Sequence, residues 1–160
     1  MNSIQTKETV KRVEAALKKF DENLNIVFLE QSAKTALDAA TALGCNVGAI
    51  VKSLLFRTEL NYILCLVAGD KRCSLKKLKI FLGLKNISMA SPDEVKNITG
   101  YTIGGVSPIG HLNKIQTYID NSLERFDNIY AAAGHPNCVF KISFIDLQKI
   151  TNGQVKNIIE

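Results

Sequence analysis

A chain of 160 residues that is 46% hydrophobic and 22% charged can bury one sizeable core, which excludes disordered and collagen-like classes. No stretch approaches the ~18 unbroken apolar residues of a membrane-spanning helix, and the opening residues hold no apolar run of a secretory signal. The formal net charge of +5 permits an anionic partner without establishing one.

Val10, Val13, Leu17 and Phe20 recur at helical spacing and predict a helix over 6–20 with its lysines facing water. Residues 26–29 read as a short strand. Ser32 is a candidate cap for a second helix that buries Ala36, Ala39, Ala40 and Leu43 and stops at Gly44. Residues 50–56 and 62–68 are apolar, β-branched runs separated by a hairpin-length loop, with a turn at Gly69-Asp70. Ser74 can cap a short helix carrying Leu75, Leu78 and Leu82 inward, ended by Gly83.

Residues 87–90 predict another strand. Ser91-Pro92-Asp93-Glu94 then carries the pattern of a capping box with proline at the first helical position, and Gly100 ends that helix. A glycine-rich loop over 101–111 follows. Strands are expected over 115–119, 129–133 and 139–142, and Ser143 opens a last helix reaching Ile150. Strands interleaved with short helices, with no repeat and no linker, predict a single mixed α/β or α+β domain over 1–160.

The cysteines Cys45, Cys65, Cys73 and Cys138 form no CxxC pair, and only His111 and His135 could help to complete a zinc site. Unpaired cysteines without an export signal predict a reduced, cytoplasmic protein.

Gly104-Gly105-Val106-Ser107-Pro108-Ile109-Gly110 is the segment richest in chemical meaning. Glycines at this density serve either an ordinary connection or a backbone that must approach a ligand and aim its N–H groups at one point. Lys52 lies in the apolar run IVKSLLF, and alternation sets it on the opposite strand face from Val51 and Ser53. It either snorkels to the surface or stands at a cleft wall to hold a phosphate or a polarised carbonyl. A phosphate-loop reading fails, because valine precedes this lysine and a strand surrounds it. Gly134-His135-Pro136-Asn137 is a turn whose imidazole could face a pocket. Lys71, Arg72, Lys76, Lys77 and Lys79 crowd one stretch, either as a solvated face or as a grip on RNA phosphates.

With these residues in view, the chain resembles the YbaK/EbsC family of free-standing aminoacyl-tRNA deacylases, relatives of the editing domain inserted in bacterial prolyl-tRNA synthetases. The likeness is carried in order by SAKTALDAATALGCNVGAIVKSLLF (32–56), LVAGDKR (66–72), SPDEVKNITGYTIGGVSPIGH (91–111) and YAAAGHPNCVFKIS (130–143). It implies an α+β domain whose mixed, mostly antiparallel sheet curls into a partial barrel with helices outside. It also implies hydrolysis of the ester joining a wrong amino acid to the tRNA 3′ end, without metal or organic cofactor.

Under the resemblance, Gly104, Gly105, Val106, Ser107 and Pro108 correspond to the loop whose amides bind the substrate carbonyl, and Lys52 to the pocket lysine. Thr35, Ser53, Gly134, His135 and Pro136 are expected around the substrate, and Lys71, Arg72, Lys76 and Lys77 against the tRNA. A synthetase is a possible partner; a membrane is not expected. Ser53 stands where the alanine-editing branch has asparagine, and Val139 where the cysteine-editing branch has aspartate, so the chain follows neither branch fully. The rival readings are a non-catalytic domain that holds tRNA ends or a synthetase, and a structural protein in which the loop is only a turn.

Overall fold

The computed structural model describes residues 3–160. A 3-10 turn at Ser3–Thr6 precedes α1, Glu8–Phe20, so this helix begins at Glu8 and not at residue 6. Val10, Val13 and Leu17 form its buried stripe. After β1, Ile26–Phe28, comes α2, Ala36–Leu43. Its cap is Thr35, not Ser32: the Thr35 hydroxyl accepts a hydrogen bond from the Asp38 N–H. Both residues have cap chemistry ahead of the alanine run, but only Thr35 is a single turn from the amide it satisfies.

The long strands β2, Ile50–Thr58, and β3, Tyr62–Ala68, form an antiparallel hairpin with Lys52 opposite Val67. α3, Leu75–Leu82, is capped by Ser74. β4, Ile87–Met89, leads into α4, Pro92–Thr99, where the expected capping box forms. Ser91 Oγ accepts from the Glu94 N–H, and Glu94 Oε1 accepts from the Ser91 N–H. That backbone N–H, with Tyr62 and Arg57 beside it, draws the Glu94 carboxyl down to about 2. The remaining elements are β5, Gln116–Asp120, β6, Ile129–Ala132, β7, Cys138–Ile142, α5, Phe144–Thr151, and β8, Gln154–Lys156.

The strands form one mixed sheet in the order β1-β7-β6-β2-β3-β5-β8, with β4 also on β2. β1–β7, β2–β3, β2–β4 and β6–β7 are antiparallel, whereas β2–β6, β3–β5 and β5–β8 are parallel. The end strands β1 and β8 do not meet, so the sheet stays open. This is the expected α+β architecture, a mixed sheet in which antiparallel pairing predominates. β8 and the 3-10 turn Asn121–Arg125 carry no sequence signal strong enough to predict.

Alternation along β2 divides the core. Val51 and Leu55 face the larger core, with α1, α5 and Val95 of α4. Leu54 and Phe56 face a smaller one with Leu78 of α3 and Ile158. α2 closes a third patch, where Ala39 and Ala40 meet Ile50.

One feature of the sheet creates a site. The outer edge of β2 pairs with β6 at Ile50 and Val51, and with β4 from Phe56 to Thr58. Ala90 N–H extends the second pairing to the Leu55 carbonyl at 3.0 Å. Between them the edge at residues 52–54 has no neighbouring strand. The Ile50 carbonyl bonds toward β3 and the Leu55 carbonyl toward β4, so the Ser53 peptide groups point into this notch.

Candidate active site

A cavity of about 370 Å³ fills the notch, within the range of small-ligand pockets. Because the sheet is interrupted here, both of its faces contribute walls. α2 and its cap supply Thr35, Ala36 and Ala39. β2 supplies Lys52, Ser53 and Leu54, β6 supplies Tyr130 and Ala131, and the glycine-rich loop supplies Ile103, Gly104 and Val106. No Asp, Glu or His lines it. Cys138 does, but burial pushes its thiol up to about 11, far from a reactive thiolate. Ser53 Oγ is buried and has no hydrogen-bond partner among the described residues.

Residues 101–111 are held from behind by side chains. Tyr101 Oη lies 2.7 Å from the Ile109 carbonyl and 3.0 Å from that of Gly110. Burial raises this phenol to about 12, so it keeps its proton and remains a donor. Arg12 of α1 donates to the Gly110 and Thr99 carbonyls and packs over the Tyr101 ring at 4.7 Å. His111 Nε2 is 2.7 Å from the Ser107 carbonyl. A carbonyl only accepts, so that nitrogen carries the hydrogen. Burial holds the His111 pKa below its ordinary 6.5.

The front of the loop meets the Gly134-His135-Pro136 turn. Gly104 has φ +95, a conformation that side chains disfavour. At Gly105 a Cβ would lie 2.9 Å from the His135 nitrogen and 3.0 Å from its Cα, so only glycine permits this approach. The Gly105 N–H donates to the Thr102 carbonyl at 3.0 Å. It is therefore occupied, and the expectation that it faces a substrate is corrected. The amides of Val106 and Ser107 have no acceptor among the described residues.

Lys52 lies on the cavity wall with its Nζ donating to the Lys71 carbonyl at 2.5 Å. Burial lowers its pKa from the ordinary 10.5, opposed by Cys73, Asp70 and Asp120 nearby, while Arg72 adds to the lowering. The basic stretch begins at this carbonyl. Arg72 and Lys76 are exposed, but Lys77 Nζ is engaged by Asn157 Oδ1 and the Ile159 carbonyl.

The sequence profile of the aminoacyl-tRNA editing domain matches residues 30–150, which include every wall of this cavity. The chain belongs to the aminoacyl-tRNA editing domain family. The editing domain is 32% identical over 148 residues to the uncharacterized protein YwhH of Bacillus subtilis (strain 168), covering 92% of this chain and 94% of that protein. It is 35% identical over 100 residues to the proline–tRNA ligase of Staphylococcus aureus (strain Newman), covering 62% of this chain but only 18% of the ligase. Among solved structures it superposes with a TM-score of 0.90 and 37% identity on a proposed trans-editing enzyme for prolyl-tRNA synthetase, covering 96% of this chain and 98% of that one.

The editing domain brings Lys52, Ser53, Thr35, Gly104 and Val106 to one cavity. Thr35 has a second duty there as the α2 cap. Gly105, Ser107, Pro108, Gly134, His135 and Pro136 do not line it. Ser107 is fully buried, and Pro108 borders a different groove. His135 Nδ1 accepts from the Asn137 N–H at 3.0 Å, and the turn acts as a backstop for the loop. Its imidazole is also held below 6.5, chiefly by burial and then by Lys7. Arg12, Tyr101 and His111 as the pins of the loop, and Tyr130 and Ile103 as walls, escape a reading of the sequence. Arg12 follows the helical period of a solvated face, so nothing local marks it. No helix among the described residues is long and apolar enough to cross a membrane.

Proposed function

We propose that this editing domain is an aminoacyl-tRNA deacylase. It hydrolyses the ester between the tRNA 3′ end and a small, wrongly attached amino acid such as alanine, cysteine, serine, threonine or 2-aminobutyrate. tRNA-Pro is the first candidate carrier, because prolyl-tRNA synthetase recurs among the relatives. The observation that carries the reading is one cavity lined by Lys52 together with Gly104 and Val106 of the bend, with no carboxylate or imidazole in its wall.

Water adds to the ester carbonyl carbon, and the carbonyl oxygen takes the negative charge. The bond to the ribose oxygen then breaks, releasing the free amino acid and a tRNA with its terminal hydroxyl restored. An ester is already activated, so stabilising the oxyanion is the main requirement. The Val106 amide, on the cavity wall and without an acceptor among the described residues, is the donor suited to it, worth ~10²–10³ in rate by comparison with other oxyanion holes. Pro108 has no N–H and fixes the bend. Lys52 swings from the Lys71 carbonyl to the terminal phosphate or the reacting end. With no side-chain base in the wall, the substrate's own hydroxyl orients the water. Specificity rests on cavity shape, and one methylene is worth only ~1–3 kcal/mol, so discrimination among small side chains is leaky.

The test is deacylation of a panel of mischarged tRNAs by wild type and Lys52→Ala. Faster release of at least one small amino acid, slowed about 10–100-fold by the substitution, supports the reading, since a charge-assisted hydrogen bond is worth ~1.5–3 kcal/mol. Full activity in Lys52→Ala removes the lysine from the mechanism. Binding of tRNA without turnover favours a holding role.

A further inference from the structure

A second groove, of about 630 Å³, lies behind the glycine-rich loop. Its walls are the end of α1 (Ala16, Lys19, Phe20), the segment from Pro108 to Ile115, and the end of α5 (Lys149 to Thr151). Three lysines from three separate elements, Lys19, Lys114 and Lys149, border it, and no Asp or Glu does. Among the described residues, none of these ammonium groups has a carboxylate partner. The half-exposed ring of Phe20 and the exposed side chain of Leu112 add apolar surface between the cations.

We propose that this groove holds the acceptor-arm backbone of the tRNA, so that one loop serves the RNA at two points. Ile103, Gly104 and Val106 of the loop face the reacting end, and residues 108–115 face the phosphates upstream. The proposal rests on the deacylase reading above and adds where the RNA lies.

Unpartnered lysines beside a sugar- or base-sized apolar surface are the chemistry of a nucleic-acid groove. The competing basic stretch, residues 71–77, is a poorer phosphate surface. Lys77 is engaged by protein oxygens, and Asp70, Asp120 and Glu160 contribute negative charge around Cys73 and Lys52.

α1 sets the spacing. Its Thr9 carbonyl packs against Gly134 in the turn that backs the loop, and its Lys19 borders the groove. Ten residues of helix at ~1.5 Å each span about 15 Å. At ~3.4 Å per stacked nucleotide this is about four to five nucleotides. The Lys19 end of the groove therefore lies about that far from the turn behind the loop, where the proposal places phosphates upstream of the CCA end.

The experiment measures binding of two uncharged RNAs, a CCA trinucleotide and an acceptor-stem hairpin ending in CCA, between 50 and 200 mM salt. It compares wild type with the triple variant Lys19→Gln, Lys114→Gln, Lys149→Gln and with the double variant Lys76→Gln, Lys77→Gln, after melting curves establish that each is folded. The triple variant is expected to weaken hairpin binding about tenfold at low salt. It should also reduce the log–log salt slope by about 2, at ~0.7 for each phosphate no longer neutralised. It should leave trinucleotide binding and hydrolysis of an aminoacyl-adenosine unchanged. Unchanged hairpin binding in the triple variant, an equal loss for both RNAs, or a larger loss in the double variant overturns the proposal. Uncharged RNA is bound without hydrolysis, so a failed deacylation assay and a failed groove give different results.

Discussion

Gly105→Ala tests the packing of the loop on the turn behind it. A Cβ at Gly105 would stand 2.9 Å from the His135 nitrogen, 3.0 Å from its Cα and 3.2 Å from the Gly134 carbonyl carbon, against 3.4 Å for an ordinary van der Waals approach. All three atoms are backbone, so the loop and the Gly134-His135 turn must separate by about 0.5 Å. Overpacking of this kind costs ~1–3 kcal/mol of stability. The same displacement moves the Val106 amide, and misplacement by ~1 Å at a reacting centre costs ~10²-fold in rate. The expected result is a modest fall in melting temperature with a loss of roughly 10–100-fold in single-turnover deacylation. Ile158→Val is the matched control: it trims the smaller core, on the other face of the sheet, and costs ~0.5–1.5 kcal/mol. Deacylation by the folded control should match wild type. If Gly105→Ala retains wild-type turnover, or loses no more than the control does, the loop is an ordinary connection and the oxyanion argument fails.

Ser53→Ala removes a buried hydroxyl without a partner, so it should raise stability by up to ~1 kcal/mol in chemical denaturation; a clear loss would mean the hydroxyl is paired in solution. Tyr101→Phe leaves the Ile109 and Gly110 carbonyls short of a donor and should cost ~1–3 kcal/mol, with kcat falling more than KM rises; an unchanged melt and kcat contradict the pinning role. The His111 pKa lies below 6.5 in the folded chain, so its contribution to stability is complete above 6.5 and is lost as pH falls from there through the lowered folded value. Melting temperature against pH should bend downward in that window for wild type, and His111→Gln should flatten the bend; an equal bend in both assigns it elsewhere.

Much of the fold is legible where one residue type has one local use. Ser91 with Glu94, Ser74 and Ser143 mark helix starts because their hydroxyls satisfy the first free amides. The cap of α2 is ambiguous in the sequence because Ser32 and Thr35 offer the same chemistry, and only the backbone path chooses Thr35. β8 leaves no mark because Gln154-Val155-Lys156 has one apolar residue and takes its order from β5.

The site divides along the same line. Lys52 and the glycine-rich loop stand out as residues at odds with their surroundings. The notch that unites them is invisible in the sequence, because it depends on two distant strands sharing the β2 edge and stopping short of each other. His135 reads as a pocket residue because turn histidines can present a ring, yet here the backbone of the turn is what touches the loop.

The mechanism stands on the free Val106 amide of the bend binding the reacting carbonyl while Lys52 holds the same molecule. Amide and side-chain NMR of the chain, titrated with a non-hydrolysable 3′-aminoacylamino-adenosine, observes both at once. The Val106 amide signal and the Lys52 ammonium signal should move together at one dissociation constant, with the Gly105 amide little changed. Movement of the Lys52 signal alone, or binding that leaves the Val106 amide in place, contradicts the mechanism.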